Sequence, residues 1–539
     1  MRGFAKIMAL AGMLAGSIGH AATPQTPSAA LHVAIAAPAP RAPVAAPAPA
    51  AAPAPLVGAV RISLPDAAGR FAAADFIGAA APFVGRTLSG EDLQDLLSAV
   101  SGVARGRGYI LAHGVIPAQR LASGVLDLRL TLGRIDRIEL SGDDAPAVRA
   151  RLEQLIGAPL TRSALQRQLT LARDLPGMTV DRLAITQQDG ETVLSARVRH
   201  KHGTVRGGLD NWGNSAVGPV RARLAYDFNG LLGNDRLSGT VEAVAAAQPD
   251  ELAAVSVRLA YDLDNLGTRV EFTGVYSHSN PGASLAPYAL SGDYAAFGVE
   301  LSRPLVRGFA HSLWLSGGLR MVTLDRWQAG VLGRHDKALI ANLGLNGNVV
   351  LAGGRLRGGI GVSHLLDALD ATRAGDPLAT RPGAGAGATF ASAWLDWQGK
   401  LSGPLSAWVA LNGQVATAPL PVTAQISLGG PMFGRAYDFG ERTGDNGLLA
   451  MAELRYTLRD RNFGLLRFAQ LYGFADAGSV GNVENDLGTG TLASAGAGAR
   501  LTLTEHFRIG MEAALPVNQP RYASGDRSPR YRASLGFQF

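Results

Sequence analysis

Apolar and polar positions alternate through most of the chain between residues 201 and 539, in segments separated by clusters of Gly, Asn, Asp and Pro. Two of these segments, 223–227 and 258–262, share the sequence Arg-Leu-Ala-Tyr-Asp. The last segment is the clearest, because every second residue is apolar or aromatic: Tyr531, Ala533, Leu535, Phe537 and Phe539. A period of two predicts β-strands that have one apolar face and one polar face.

Residues 57–200 follow a different pattern, in which short alternating runs flank helical stripes. Ser89 and Asp92 form a capping-box signature ahead of an apolar stripe made of Leu93, Leu96, Leu97, Val100 and Val103. Strands are predicted around this helix at about 60–64, 109–116 and 125–132. The following residues predict two more helices, at about 148–156 and 163–175, and strands at about 135–140, 180–185 and 193–198. We therefore expect two small α/β modules, residues 57–134 and 135–200.

The amino terminus has the features of an export signal. Arg2 and Lys6 precede an apolar run, 7–18, that is too short to span a bilayer. Gly19 and Ala21 are the small residues expected before a cleavage site, so residues 1–21 are predicted to be a secretory signal peptide rather than a buried helix. Residues 22–56 are nearly all Ala and Pro, which is typical of an extended, semi-rigid linker.

Composition excludes several functional classes. The 539 residues contain no cysteine, which rules out a disulfide framework and a thiol nucleophile. The net charge of +7 is spread along the chain, so nucleic acid is not expected as a partner. The sequence offers no nucleotide-binding loop, metal-ligand spacing or catalytic dyad, and we therefore expect no cofactor, no metal, no catalytic residue and no enzymatic activity.

Alternating strands also occur in soluble β-sandwiches, so the pattern alone leaves two fold classes open. Three observations favour a membrane barrel: the chain is exported, the polar strand faces carry many charges, and the sequence ends on Phe539. In lipid, only a closed barrel satisfies the backbone hydrogen bonds of such strands. At about 20 residues per strand with its connection, the last 340 or so residues provide about 16–18 strands around a polar lumen.

Four sets of short motifs occur in a consistent order. The first module contains Arg107–Tyr109, Ile116–Gln119, Gly124–Leu126 and Gly133–Ile135. The first barrel strand contains Gly208–Asn214, with Asp210, Asn211 and Gly213, and is followed by Leu232–Asp235. Near the C-terminus stand Gly434-Arg435-Ala436-Tyr437 and Phe474-Ala475-Asp476-Ala477-Gly478. Together these motifs resemble the two-partner secretion transporters, the TpsB or haemolysin-activator family of the outer-membrane assembly barrels.

The resemblance implies an all-β, 16-stranded transmembrane β-barrel, residues 201–539, preceded by two periplasmic POTRA domains in the outer membrane of a Gram-negative bacterium. Such a transporter recognises a partner exoprotein in the periplasm and exports it unfolded to the cell surface. The implied partner is a large secreted β-helical adhesin, haemolysin or toxin. Outer-membrane lipid and, during biogenesis, the barrel assembly machinery are the other implied partners.

The resemblance also implies a functional site in the lumen. A long loop folds back into the barrel, where Arg435 meets Asp476 with the help of Tyr437, and Gly434, Phe474 and Gly478 support the motifs. Phe537 and Phe539 are the expected C-terminal strand signal. Ala436 stands where glycine is usual, and a positive φ there would be strained. Relatives carry a plug helix at the N-terminus, whereas residues 22–56 provide at most a vestigial one.

A membrane barrel of this kind leaves two alternative functions to consider. A general factor that inserts other barrels is disfavoured, because only two modules precede the barrel and the motifs resemble haemolysin activators. A passive porin is disfavoured, because porins need neither capture modules nor an arginine-anchored loop.

Overall fold

The computed structural model describes residues 34–35, 56–64, 70–121, 123–458 and 466–539. The predicted signal peptide and most of the predicted linker, including any vestigial plug, lie outside the described residues. The described chain divides into two compact units between His200 and Lys201. No helix among the described residues is long and apolar enough to cross a membrane.

The first part of the N-terminal unit covers residues 56–131. Its elements are β2 (Leu56–Val57), β3 (Ala59–Ser63), α1 (Ala74–Ala80), β4 (Arg86–Thr87), α2 (Gly90–Gly106), β5 (His113–Val115) and β6 (Val125–Thr131), with β1 (Ala34–Ile35) preceding them in the chain. Strands β3, β6 and β5 form one sheet in that order. The predicted capping box is confirmed, since Ser89 and Asp92 exchange their side-chain and backbone hydrogen bonds.

The strand predicted at 109–116 is shorter in the structure than expected. Only β5 is a strand, because residues 109–112 form a turn closed by the hydrogen bond from the Ala112 amide to the Tyr109 carbonyl (3.1 Å). Gly108 precedes this turn with φ +96°, a conformation in which glycine is unstrained.

The second part of the N-terminal unit covers residues 137–200, and its sheet also takes in β1. Its elements are β7 (Arg137–Gly142), α3 (Pro146–Leu152), α4 (Arg162–Arg173), β8 (Met178–Gln188) and β9 (Glu191–His200). The strand order is β1-β8-β9-β7, so the short β1 pairs in parallel with the edge of β8. The helices and strands predicted between residues 135 and 198 are confirmed, with boundaries shifted by a few residues.

The C-terminal unit is a closed antiparallel barrel of sixteen strands, which confirms the expected fold class. Its strands are β10 (Gly203–Asp210), β11 (Arg221–Asn229), β12 (Leu237–Ala246), β13 (Ala253–Asp262), β14 (Arg269–Ser279), β15 (Leu290–Arg307), β16 (His311–Gln328), β17 (Val331–Leu351), β18 (Gly354–Leu366), β19 (Thr389–Ser402), β20 (Leu405–Ala416), β23 (Asn446–Leu458), β24 (Phe468–Gly481), β25 (Gly490–Thr502), β26 (Phe507–Pro516) and β27 (Arg530–Gln538). The remaining two, β21 (Ile426–Leu428) and β22 (Arg442–Gly444), pair with each other in the connection between β20 and β23.

Alternation along the strands separates the lumen from the outer surface. In β24, Phe474 and Asp476 are buried while Ala475 and Ala477 are exposed. Large apolar side chains are exposed on strands all around the barrel, including Tyr226, Val257, Phe297, Ile360 and Leu454. This arrangement leaves an apolar outer face and directs charged side chains inward, as a membrane barrel requires.

Strands β10 and β27 close the barrel. The backbones of Val205 and Phe539 exchange two hydrogen bonds, of 3.1 and 2.9 Å, so the terminal residue takes part in the closure. Phe539 also packs edge-on against Phe507, with ring centroids 6.0 Å apart. Beyond the end of β10, the Asn211 side chain accepts a hydrogen bond from the Ala533 amide (2.7 Å) and donates one to the Tyr531 carbonyl (3.1 Å), which extends the closure.

The turn that follows β10 depends on glycine at position 213. A methyl group placed on Gly213 would lie 1.8 Å from the carbonyl oxygen of Gly218, a backbone atom that cannot move aside without opening the turn. We expect Gly213→Ala to lower the yield of folded barrel severalfold, measured as the heat-modifiable band on gel electrophoresis. Gly274→Ala in β14 is the matched control, because a methyl group at that position meets no atom within 4 Å. Equal yields from the two variants would contradict this account of the turn.

Candidate functional site in the barrel lumen

The connection between β20 and β23, residues 417–445, lies inside the barrel and is called the luminal loop. Its Val422 packs with four inward-facing residues of β15 and β16, namely Tyr294, Ala296, Val322 and Leu324. Leu420 and Ala424 pack with Ala338, Ile340, Leu365 and Ala388. Val422 thus contacts strands that lie four and five places away from β20 in the barrel, so the loop extends into the lumen well beyond its own two strands.

Arg435 is a deeply buried charge of the luminal loop, with only 3% of its side chain exposed. Its Nη1 donates hydrogen bonds of 3.0 Å to Glu453 of β23 and of 3.0 Å to Glu512 of β26. The guanidinium also lies over the ring of Phe474, 4.2 Å from the centroid. The loop is therefore attached to three different barrel strands through one side chain.

Glu453 is the centre of this charge cluster, and its side chain is fully buried. Besides Arg435 it accepts hydrogen bonds from Arg500 (2.7 and 3.1 Å) and Arg455 (2.6 Å). Arg500 stacks over Tyr472 at 3.9 Å, and Tyr472 in turn donates to Glu512. The sequence pattern does not identify Glu453 or Glu512 as partners of the loop. Alternation along a strand shows which carboxylates face inward, but it does not show which of them faces the loop.

The expected pairing of Arg435 with Asp476 is present as an ion pair, but without a hydrogen bond between the two side chains. The structure does bring the two residues together, but their closest side-chain atoms, Nε and Oδ2, are 3.9 Å apart. Asp476 instead holds the loop backbone: it accepts from the Gly434 amide at 2.6 Å and the Arg435 amide at 3.5 Å, and from the Ser494 hydroxyl. The reason is geometric, because the guanidinium extends past Asp476 to reach the two glutamates.

The glycines of the two motifs make room for close contacts. Gly434 adopts φ +80°, and a methyl group there would lie 2.9 Å from the Cα atom of Gly429. A methyl group at Gly478 would meet Leu428 of the luminal loop at 2.9 Å. Ala436 does not adopt a positive φ, so the strain considered for this substitution does not arise. Its carbonyl accepts a 2.7 Å hydrogen bond from Arg521.

Tyr437 joins the luminal loop to the last connection of the barrel, residues 517–529. The side chain is fully buried, and its hydroxyl donates to the Gln519 carbonyl at 2.8 Å. Burial raises the pKa of the Tyr437 hydroxyl, which therefore stays protonated and able to donate.

The tip of the luminal loop contacts the two strands that close the barrel. Asp438 pairs with Arg530 of β27 at 2.7 Å, and Arg530 also donates to the Gly213 carbonyl after β10 at 2.9 Å. Asp210, by contrast, pairs with Arg221 (2.9 Å), so it holds the first hairpin rather than the loop.

A second buried ion pair lies where the luminal loop leaves and rejoins the wall. Asp445 is fully buried and accepts hydrogen bonds from both Nη atoms of Arg381, from the Leu420 and Val483 amides (both 3.0 Å) and from Gln425. Burial alone would raise the pKa of Asp445, but these donors, Arg381 foremost, hold it below its ordinary value. The two residues are 64 positions apart, and no sequence motif links them.

No group of His, Asp or Glu in the described ranges is arranged to hold a metal ion. The site consists of ion pairs, hydrogen bonds and packed side chains that hold one polypeptide segment inside a barrel. A closed barrel of sixteen strands with such an internal loop, preceded by small α/β sheets, defines the class of outer-membrane β-barrel transporters.

Comparison with known families agrees with this class. Residues 190–501, more than half of the chain, match the model described as haemolysin secretion/activation protein ShlB/FhaC/HecB. Residues 62–133 match the ShlB-type POTRA domain. The chain belongs to the ShlB/FhaC/HecB family.

Individual relatives are distant. The outer membrane transporter CdiB of Dickeya dadantii is 22% identical over 476 residues, which cover 85% of this chain and 82% of that protein. The heme/hemopexin transporter protein HuxB of Haemophilus influenzae strain 86-028NP is 23% identical over 278 residues, covering 49% of this chain and 48% of that protein. Among solved structures, CdiB from Escherichia coli superposes with a TM-score of 0.74 at 21% identity and covers 93% of this chain and 94% of its own.

These findings establish the protein as a two-partner secretion transporter of the outer membrane, with POTRA sequence on the periplasmic side. Family members work with a secreted exoprotein. BamA from Haemophilus ducreyi is a more remote structural neighbour, with a TM-score of 0.50 at 14% identity.

The buried position of Glu453 predicts a large effect on barrel stability. Glu453→Gln removes the charge shared by three arginines, and loss of one partner from a buried ion cluster costs roughly 3–5 kcal/mol. We expect the purified variant to lose its heat-modifiable form at a clearly lower temperature than the wild type. Glu505→Gln is the control, because Glu505 is 66% exposed and its pair with Arg467 contributes only about 0–1 kcal/mol. Equal transition temperatures for the two variants would show that the cluster does not stabilise the barrel.

Proposed function

We propose that this transporter recognises one exoprotein in the periplasm through two POTRA modules, residues 57–134 and 135–200, and exports it unfolded through the barrel, residues 201–539. The exported partner is a large β-helical protein of the adhesin, haemolysin or toxin type. Residues 1–21 serve as the signal peptide and residues 22–56 as a linker. The apolar outer face contacts outer-membrane lipid, and the barrel assembly machinery inserts the barrel, with Phe537 and Phe539 in its C-terminal strand signal.

One observation carries the export mechanism: the luminal loop lies inside the barrel and is held to the wall by buried ion pairs as well as by apolar contacts. A polypeptide can pass only if this segment moves. Arg435, with Glu453 and Glu512, is the anchor that sets the resting position, while Asp476 holds the backbone beside it. Ion pairs suit this role, because their partners can be exchanged for water or for groups of the passing chain when the lumen opens.

Capture of the partner is assigned to the exposed sheet edges of the N-terminal unit. An extended segment can add to such an edge through main-chain hydrogen bonds, with little demand on its sequence. The edge of β8 is suitable, since it already pairs with the dipeptide β1 in parallel register, Ala34 opposite Ala184 and Ile35 opposite Ile185.

The energy for export is assigned to the cargo. The periplasm holds no ATP, and the chain contains no nucleotide-binding loop. Folding of the β-helical partner outside the cell prevents the exported segment from sliding back, so each step outward is retained.

The anchor role of Arg435 predicts a defect in secretion without loss of the barrel. In Arg435→Ala, Glu512 loses one of its arginines, whereas Glu453 keeps Arg455 and Arg500, so the wall remains neutralised while the loop is released. We expect secretion of the exoprotein partner to fall by roughly tenfold or more, the effect of losing one buried charge-assisted contact. Secreted protein in the medium is the readout, and heat-modifiable barrel in the membrane is measured in parallel.

Arg373→Ala is the matched control for this test. Arg373 also lies in a connection between barrel strands, but its side chain is 75% exposed and pairs with the exposed Asp367. Its replacement should leave secretion unchanged. If Arg435→Ala secretes as much as Arg373→Ala, Arg435 is not an anchor required for export.

A further inference from the structure

The connection between β18 and β19, residues 367–388, is called the outer loop. Although it joins two strands at the barrel rim, many of its residues are almost fully buried: Ala371, Thr372, Ala379, Thr380, Arg381, Ala384 and Ala388. It is also bonded to itself, by hydrogen bonds from the Gly375 amide to the Pro382 carbonyl (2.7 Å) and from the Ala386 amide to the Thr372 carbonyl (2.9 Å). These internal hydrogen bonds make the outer loop a compact unit, and we expect it to move as a single body.

One side of the outer loop is attached to the barrel wall at β17. The Asp336 carboxylate accepts hydrogen bonds from the amide (2.9 Å) and the hydroxyl of Thr380. The His335 amide donates to the Leu378 carbonyl at 2.7 Å. Asp336 is itself buried, so this contact is not a surface pairing.

The other side of the outer loop is attached to the luminal loop. The contact lies at the neck of the luminal loop, where its two ends, at Leu420 and Asp445, come together. Arg381, the residue next to Thr380, donates 2.6 Å to the Leu420 carbonyl near the start of the luminal loop. The same guanidinium forms the two-hydrogen-bond pair with Asp445 at the end of that loop. Both side chains are buried, Arg381 to all but 8% and Asp445 completely.

We propose that the outer loop is a latch that keeps the luminal loop seated, with Arg381 as the positioning residue that clamps its neck. The proposal rests on the export function assigned above and adds a control point to it. Thr380 bonds to β17, and the adjacent Arg381 bonds to the luminal loop, which rejoins the wall at β23. Three barrel strands, β18, β19 and β20, lie between β17 and β23. The neck of the luminal loop cannot separate while Arg381 holds both of its ends.

The latch is independent of the Arg435 anchor. Arg435 holds the inner part of the luminal loop against β23 and β26, whereas Arg381 acts at the neck and shares no hydrogen-bond partner with Arg435. Release of the latch should therefore loosen the mouth of the pore while the inner anchor remains in place.

Ion conductance of the purified protein in planar bilayers tests the latch without any exoprotein. We expect Arg381→Ala to increase the time spent in open levels by roughly tenfold or more, since a buried charge pair biases the closed state. Cells carrying this variant should also admit vancomycin, which intact outer membrane excludes. Arg373→Ala, in the same loop but exposed, is the control. Conductance equal to that of the control and the wild type overturns the proposal.

Two further variants separate a latch from a general loss of structure. Arg381→Lys keeps the charge but offers a single ammonium group in place of the planar fork, so its open time should lie between those of the wild type and Arg381→Ala. Asp445→Asn should match Arg381→Ala, and the double variant should be no more open than either. If Arg381→Ala does not assemble, the Lys and Asn variants decide the same question, and wild-type conductance in both overturns the latch.

A reversible tether tests whether the outer loop is the part that moves. The chain has no cysteine, so His335→Cys and Leu378→Cys introduce a single possible disulfide across an existing backbone hydrogen bond. With Arg381 in place, oxidation should fix the outer loop, and the neck that Arg381 clamps, to β17 and so lower the time spent in open levels, and reduction should restore the wild-type openings. Unchanged conductance on oxidation, with the disulfide formed, overturns the assignment of the outer loop. Failure of the export function itself would appear separately, as normal secretion by Arg435→Ala.

Discussion

A fully buried carboxylate, Glu453, is the interaction on which the lumen of this transporter depends. An ionised group out of contact with water is tolerated only when opposite charges and hydrogen bonds replace its hydration. Three arginines do so here, two from the barrel wall and one from the luminal loop. The loop is therefore not simply resting in an empty pore. Its Arg435 shares Glu453 with Arg455 and Arg500, so the loop docks onto a carboxylate that the wall already neutralises in part.

This dependence explains how a wide barrel can be both closed and able to open. A barrel of sixteen strands has space for an aqueous channel, and a loop of 29 residues loses considerable conformational entropy when it is fixed there. Apolar contacts at Leu420 and Val422 give part of the compensation, and the ion pairs of Arg435 and Asp445 give specificity of position. Polar contacts of this kind have alternative partners in water, so the closed state is stable without being irreversible.

The luminal loop also links parts of the barrel that are far apart in sequence. Its tip meets the closing strands through Asp438 and Arg530, its inner segment meets β23, β24 and β26, and its neck meets the outer loop. Movement of the luminal loop would therefore remove contacts from the strands that close the barrel and from the outer loop at the same time. The first-strand motif participates through Asn211 and the Gly213 carbonyl, which gives these residues a role beyond shaping a turn.

Much of this architecture was determined by the sequence itself. The period-two alternation predicts the strands, and the motifs around Arg435 and Asp476, through the family that they resemble, imply that the loop carrying Arg435 enters the lumen of a barrel. A period of two also tells which strand residues face inward. It does not tell the register or tilt of sixteen strands, and those decide which inward carboxylate stands opposite a given loop residue. Only the tertiary structure could therefore assign Glu453 and Glu512 as the partners of Arg435. The same holds for the contact of Asp476 with the loop backbone and for the pair of Arg381 with Asp445, 64 residues apart. Each of these contacts joins chain segments that approach one another only after the barrel has closed.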